Sequence, residues 1–152
     1  MTDVTYRFIQ PSDIIELVSL RLEYFRETSN APIPEEVATN TRQYLEEELA
    51  SGALVGVVAI LRGQIIGQGL MSLFSIMPTR RNLAGKRGYF FNFYVRPEFR
   101  RRGIATEILR RLKEEARRLG IHDLFLNARE MAIPLYEQNG FQFLRHEMRV
   151  EV

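Results

Sequence analysis

The sequence predicts an α/β (α+β) fold, a single domain built on a mixed six- or seven-stranded sheet with helices on both faces. A strand, helix and strand in succession over residues 89–128 predict a parallel pair joined by a right-handed crossover. Two apolar runs joined by a short turn in residues 54–76 predict an antiparallel hairpin. The length of 152 residues suits one domain, spanning residues 1–152.

The patterns of the first half predict one strand, two helices and the two strands of the hairpin, over residues 4–9, 11–28, 35–50, 54–61 and 65–76. Pro11 with Asp13 is typical of a helix start. The predicted stripe of the first helix is Ile14, Val18, Leu22 and Phe25. The run at 54–61 is apolar and rich in valine, which favours a strand buried on both faces.

The second half begins with a polar, basic loop at residues 77–88. Its patterns then predict an aromatic strand, a long amphipathic helix, a strand and a short helix, over residues 89–95, 102–119, 124–128 and 131–139. Residues 141–152 are expected to supply one or two closing strands. These strands would complete the sheet of one chain or pair across a homodimer.

Composition excludes several classes of protein. Apolar residues make up 45% and charged residues 26% of the chain, as in ordinary soluble domains. No run approaches the roughly 20 apolar residues needed to cross a bilayer, and residues 1–10 lack the layout of a signal peptide, so we expect a cytoplasmic protein without a membrane partner. Without cysteine, and with two histidines, the chain is poorly supplied for a metal site, and we expect no metal.

Positive charge concentrates around the start of the helix predicted at 102–119. Residues 96–118 hold nine Lys or Arg against four acids, a net charge of +5, and the rest of the chain has −3. At the same place Gly103 lets the backbone approach a ligand, Ala105 keeps the first turn small, and Thr106 adds a hydroxyl. Because the first amides of a helix are unpaired and carry partial positive charge, the pattern predicts a pyrophosphate site. The arginines further along the helix are better explained as a solvated face: Arg110, Arg111, Arg117 and Arg118.

Two motifs resemble those of the GNAT superfamily of N-acetyltransferases. R-R-R-G-I-A, residues 100–105, resembles its [Q/R]-x-x-G-x-[G/A] element and follows a strand that ends in Val95-Arg96-Pro97. A-I-P-L-Y-E-Q-N-G-F, residues 132–141, resembles its A-x-x-[LF]-Y-E-x-x-G-F ending. The close resemblance covers about residues 88–144.

The resemblance implies that acetyl-CoA is the co-substrate. Its pyrophosphate would bind the backbone amides of Arg101, Arg102, Gly103, Ile104 and Ala105. The charge and hydroxyl at the helix start add Arg100 and Thr106 to this predicted site. Its pantetheine arm would lie like an added strand along Phe93, Tyr94 and Val95, because in this family the two parallel central strands splay apart. A bulge in the first of these strands is expected near Asn92.

The resemblance also implies direct transfer of the acetyl group to a primary amine, with no covalent acyl-enzyme. Tyr136 is the candidate acid, since a phenol with a pKa of about 10 is protonated at neutral pH. Glu23, Tyr24 and Asn92 are candidates for binding the acceptor, and the base stays open between the first two and a water chain. Many family members have asparagine seven positions before the tyrosine, where this chain has Arg129; either it or Asn127 would contact the cofactor.

Two other functions remain open at this point. One is a nucleic-acid-binding module that uses residues 96–118 as a phosphate patch, although the small net charge argues against a nucleic-acid partner. The other is an acyl-CoA-binding sensor without turnover. For an enzyme, the acceptor amine could belong to a small metabolite, an antibiotic, a polyamine or a protein.

Overall fold

A computed structural model describes residues 3–152. It contains five strands, β1 Thr5–Phe8, β2 Leu54–Leu61, β3 Gln64–Ser75, β4 Lys86–Val95 and β5 Asp123–Leu126. Its four α-helices are α1 Ile14–Thr28, α2 Glu35–Ser51, α3 Ile104–Arg118 and α4 Ile133–Gln138. Short 3-10 turns lie at Pro11–Asp13, Pro97–Phe99 and Glu130–Ala132.

The strands form one mixed sheet in chain order, β1-β2-β3-β4-β5. The first three pairs are antiparallel and β4 pairs with β5 in parallel, with α3 as the crossover between them. The predicted hairpin turns at Arg62 and Gly63, whose φ angles of 51° and 78° match the left-handed pair of a tight hairpin turn. The predicted mixed sheet is therefore confirmed.

Helices cover both faces of the sheet, also as predicted. One face packs against α1 and α2 through a core that includes Leu17, Leu20 and Leu45. The other face packs against α3 and α4 through a second core that includes Ile108, Leu112 and Tyr136. Successive residues of β2 alternate between the two cores, which explains why its sequence is apolar throughout.

Three details differ from the sequence-based expectations. The sheet has five strands instead of six or seven, because residues 142–152, here called the closing segment, form no strand and leave the outer edge of β5 unpaired. The buried face of α1 is centred on Leu17 and Leu20, because the packing of the helix on the sheet fixes its rotation. Helix α3 begins at Ile104, since Gly103 before it is left-handed with φ 79°.

Candidate active site

The site is built around a strand that is paired on both edges along only part of its length. The ladder between β4 and β5 runs from Arg87 opposite Asp123 to Phe90 opposite Leu126. Beyond Phe90 the two strands part, and among residues 3–152 the rest of β4, residues 91–95, pairs with β3 alone. This is the splay that the resemblance implies, and it leaves a free backbone edge inside the sheet.

A β-bulge lies at the point where the free edge begins. Gln68 is paired with Tyr94 and Leu70 with Phe91, so two residues of β4 lie opposite Gly69 alone. The first of the two is Asn92, with a left-handed φ of 55°. The prediction of a bulge near Asn92 is thus confirmed. Glycine at 69 makes room for it, because a Cβ there would lie 2.7 Å from a Phe93 ring carbon.

The turn that follows β4 presents backbone donors without protein acceptors. Among residues 3–152, no hydrogen bond is formed by the backbone N–H of Arg101, Gly103, Ile104 or Ala105. A Cβ built on Gly103 would meet nothing within 4 Å, so the space beside the turn is open. Arg101 has φ 62°, a conformation that costs a residue other than glycine about 1–3 kcal/mol and that occurs mainly at functional sites.

Of the four arginines between residues 96 and 102, Arg96 and Arg100 pair with carboxylates of α1. Arg100 donates from Nε to the carbonyl of Val95 at 2.7 Å and from Nη2 to both oxygens of Glu27 at 2.8 and 2.9 Å. Arg96 lies 3.3 Å from Glu23. These pairs hold the turn against α1. Because Arg100 already donates to Glu27 and Val95, this arrangement does not favour the predicted contact between Arg100 and the pyrophosphate. Arg101 is exposed, as are Arg102 and Thr106.

Ion pairs engage several arginines of the basic segment, residues 96–118. Further along α3, Arg110 pairs with Glu107 and Glu114, and Arg111 also pairs with Glu107. Arg118 pairs with Glu115. Three of the nine cations counted in the sequence therefore pair with acids one helical turn away, and the net charge of +5 already includes those acids.

Tyr136 lies under the free edge, in the core on the α3 side of the sheet. It is 8% exposed and packs edge-on against Phe93, with ring centroids 6.1 Å apart, and against Phe141 at 5.8 Å. Burial, with a smaller contribution from the nearby phenol of Tyr24, raises the pKa of Tyr136 to about 12. The hydroxyl therefore keeps its proton at neutral pH.

The remaining predicted residues lie on both sides of the bulge. Tyr24 packs edge-on against Tyr94 at 6.0 Å, and the Arg129 guanidinium lies 5.2 Å from the centre of the Tyr24 ring. Asn127 donates to the Tyr89 hydroxyl at 3.4 Å, beside the paired part of β4. Arg129 thus reaches towards α1 while Asn127 stays at β5, and the choice between them as a cofactor contact remains open.

Arg21 is a site residue that the sequence did not single out. Its Nη1 donates to Oδ1 of Asn92 at 2.9 Å, and its guanidinium lies 4.7 Å from the centre of the Phe25 ring. Burial lowers the pKa of Arg21. One signal was available: Arg21 precedes Phe25, a member of the predicted stripe, by four residues, which places the two on the same face of α1.

Two cavities border these residues. A cleft of about 440 Å³ lies between the last turns of α1 and the turn after β4, lined by Glu23, Glu27, Tyr94 and Arg96 among others. A larger groove of about 670 Å³ follows the outer edge of β5, lined by Leu126, Tyr136, Phe141 and Leu144 among others. The larger groove lies where a sixth strand would pair, and the free edge of β4 lies on the opposite side of β5.

Comparisons with known proteins agree with this geometry. Residues 14–141 match the family described as Acetyltransferase (GNAT) family. A predicted acetyltransferase from Clostridium acetobutylicum, solved with acetyl-CoA, is 31% identical with a TM-score of 0.92, over 97% of this chain and 96% of that one. A GCN5-related N-acetyltransferase from Ralstonia eutropha JMP134 is 27% identical with a TM-score of 0.85, over 98% of both chains.

More distant structures share the fold. An aminoglycoside acetyltransferase from an uncultured soil metagenomic sample is 24% identical with a TM-score of 0.72, over 98% of both chains. A search of curated proteins gave no significant match. Within residues 3–152, no helix has the length and apolar character to cross a membrane.

Proposed function

The chain belongs to the GNAT family of acetyltransferases, and from this premise we propose that it moves the acetyl group of acetyl-CoA directly to a primary amine. One observation carries the proposal: an open turn follows the free edge of β4. In this turn, residues 101–105, the amides of Arg101, Gly103, Ile104 and Ala105 have no hydrogen-bond acceptor among the described residues. An anion site and a strand edge in succession suit a ligand with a diphosphate at one end and an extended amide-containing arm. Acetyl-CoA has this form.

In the proposed complex, the diphosphate accepts hydrogen bonds from the amides of Arg101, Gly103, Ile104 and Ala105. The exposed Thr106 hydroxyl and the Arg101 and Arg102 side chains lie around the same turn. The pantetheine arm hydrogen-bonds to the backbone of Phe93, Tyr94 and Val95 in the manner of an added strand. Arg100 supports this arrangement indirectly, by holding the Val95 carbonyl against α1.

The proposed reaction is a direct displacement. The neutral amine attacks the thioester carbonyl carbon, a C–N bond forms, the C–S bond breaks, and the amine proton leaves to a base or to water. The sulfur departs as a thiolate that Tyr136 stabilises by donating a hydrogen bond. Because the pKa of Tyr136 is about 12, above the value of roughly 8.5 for a thiol, hydrogen bonding is favoured over complete proton transfer, and solvent protonates the released thiolate.

The acceptor would enter from the α1 side, where Tyr24 and Asn92 lie beside the bulge and Glu23 lines the adjacent cleft. Glu23, Tyr24 or a water chain would take the amine proton. We also propose that the reaction needs no metal and takes place in the cytoplasm.

Two measurements test the proposed function. Acetyl-CoA at a hundred times its dissociation constant should stabilise the protein by about 2.7 kcal/mol in a thermal shift experiment. Thiol release across a panel of primary amines should then show acceptor-dependent turnover. Stabilisation by duplex DNA and none by acetyl-CoA would support the nucleic-acid module. Stabilisation by acetyl-CoA without thiol release from any amine would support the sensor.

We further propose that the chain forms a homodimer in which the closing segment of one copy pairs with the outer edge of β5 in the other. In the closing segment Met148, Val150 and Val152 alternate with charged residues, as in a half-buried strand, yet all three are more than 80% exposed. Within residues 3–152 the outer edge of β5 is unpaired and borders a groove lined in part by apolar side chains, and such an edge can accept an added strand.

Light scattering tests the homodimer. The unmodified chain should have the mass of two copies at micromolar concentrations, and the double variant Met148→Glu with Val150→Glu should have the mass of one. Glu147→Gln, on the charged side of the segment, is the control and should remain dimeric. A monomeric unmodified chain would overturn the assembly and leave the proposed reaction untouched.

A further inference from the structure

Arg21 differs from every other partly buried arginine in residues 3–152. The others each have a carboxylate oxygen within 3.3 Å: Arg7, Arg87, Arg96, Arg100 and Arg111. Among the described residues, no Asp or Glu lies within 4.0 Å of Arg21. A guanidinium removed from water without a counter-ion is costly, so its burial here needs a separate explanation.

The surroundings of Arg21 are polar but neutral. Its one hydrogen bond among the described residues is from Nη1 to Asn92. The phenols of Tyr24, Tyr89 and Tyr44 act on it electrostatically, and no acidic residue has a comparable influence. Because that bond uses Nη1, the Nε and Nη2 donors have no hydrogen-bond partner among the described residues. These two donors form the fork that matches the two oxygens of a carboxylate.

A second polar group close to the bulge also lacks partners. The Gln68 side chain is fully buried, and neither its oxygen nor its nitrogen has a hydrogen-bond partner among the described residues. Gln68 is paired with Val58 on one side and Tyr94 on the other, both in the core under α1, so it faces the same side of the sheet as Arg21. Unsatisfied buried groups of this kind usually mark a place for water or a ligand.

We propose that Arg21 binds a carboxylate on the acceptor, so that the amines this protein acetylates are small amino-carboxylates. The inference rests on the proposed function, since it names the acceptor of that reaction. Asn92 joins Arg21 to the bulge that begins the free edge of β4, and therefore the anion of the acceptor lies next to the place where the thioester is expected. One guanidinium balances the single charge of a carboxylate, whereas a phosphate dianion would stay under-neutralised.

The same charge argues against polycationic acceptors. A polyamine or an aminoglycoside would place ammonium groups beside Arg21, and like charges in a partly buried site repel strongly. Of the four acceptor classes open from the sequence, polyamines and polycationic antibiotics are therefore disfavoured.

The experiment compares pairs of amines that differ only in the carboxylate, such as an amino acid and its decarboxylated amine. With the unmodified protein, kcat/KM from thiol release should be at least about tenfold higher for the carboxylate-bearing member. In Arg21→Gln that preference should disappear, because kcat/KM falls for the carboxylate-bearing amine and stays unchanged for the amine without a carboxylate. Arg21→Lys should restore part of it. Arg111→Gln, which removes another partly buried arginine stacked on an aromatic ring, should keep the preference.

The outcomes distinguish binding of the acceptor carboxylate by Arg21 from a purely structural role of Arg21. If Arg21 only positions Asn92, Arg21→Gln will slow both members of each pair equally, and the inference is overturned. Equal rates for both members with the unmodified protein, or a stronger preference for a phosphorylated amine, also overturn it. If no amine gives thiol release, the proposed function fails, and binding of the amino-carboxylate by calorimetry then decides: dependence on Arg21 supports the inference, and its absence refutes it.

Discussion

The two halves of β4 have the same secondary structure and opposite surroundings. The first half, Lys86–Phe90, has β3 on one edge and β5 on the other. The second half, residues 91–95, has β3 alone and begins with the bulge at Asn92. We call them the closed half and the open half. In the closed half both edges are occupied by protein, and in the open half one edge remains available to a ligand.

This difference separates stability from function within one strand. Residues of the closed half should affect the free energy of unfolding and leave ligand binding nearly unchanged. Residues of the open half, and the turn that follows it, should affect binding or turnover more than stability. Four substitutions of decreasing expected effect test that separation.

The largest effect is expected in the closed half, from Phe90→Ala. Phe90 is 1% exposed and lies in the core under α3. Removing a buried phenylalanine ring leaves a cavity and typically costs about 3–5 kcal/mol of unfolding free energy. Urea denaturation should show this loss, while the dissociation constant for acetyl-CoA in the folded protein changes less than about threefold. If Phe90→Ala does not fold, Phe90→Leu should show the same separation with a smaller loss.

The next effect is expected at the turn after the open half, from Gly103→Val. Gly120, at the other end of α3, supplies a matched control: its φ is 75° against 79°, and a Cβ would meet nothing at either position. The backbone strain in Gly120→Val and Gly103→Val should therefore be similar. Gly103→Val should in addition weaken acetyl-CoA binding at least about a hundredfold, or 2.7 kcal/mol, measured by calorimetry. If the two variants bind acetyl-CoA with equal affinity, the turn at Gly103 does not bind the diphosphate.

Many features of the fold and of the candidate site could be predicted from the sequence, and others could not. The glycine turn and the order of elements up to α4 depend on local residue types and were predicted, and the bulge near Asn92 was expected from the family resemblance. The partners of Arg96 and Arg100 depend on α1, more than 70 residues away, so their pairing with Glu23 and Glu27 had no local signal. The closing segment alternates like a strand, but pairing requires an edge at the right distance, and sequence periodicity does not report distance.

A smaller effect is expected from Tyr136→Phe, which removes one hydroxyl beside the open half. Turnover should fall by about tenfold to a hundredfold, because the departing sulfur loses a hydrogen bond, while acetyl-CoA affinity is unchanged. Since the pKa of Tyr136 is about 12, the phenol stays protonated up to about pH 10, and the ratio of the two rates should be constant over that range. Tyr6→Phe, on the distant strand β1, is the control. Equal turnover would leave Tyr136 a packing residue.

The smallest effect is expected from Arg101→Gln at the exposed rim of the turn. Backbone amides supply most of the proposed anion binding, so losing this side chain should weaken acetyl-CoA binding only about threefold to tenfold. The loss should shrink as salt is raised, because salt screens exposed charges. Arg117→Gln, equally exposed at the far end of α3, should change neither the affinity nor its salt dependence. A larger loss in Arg101→Gln than in Gly103→Val would mean that side chains, and not the open backbone donors, hold the diphosphate.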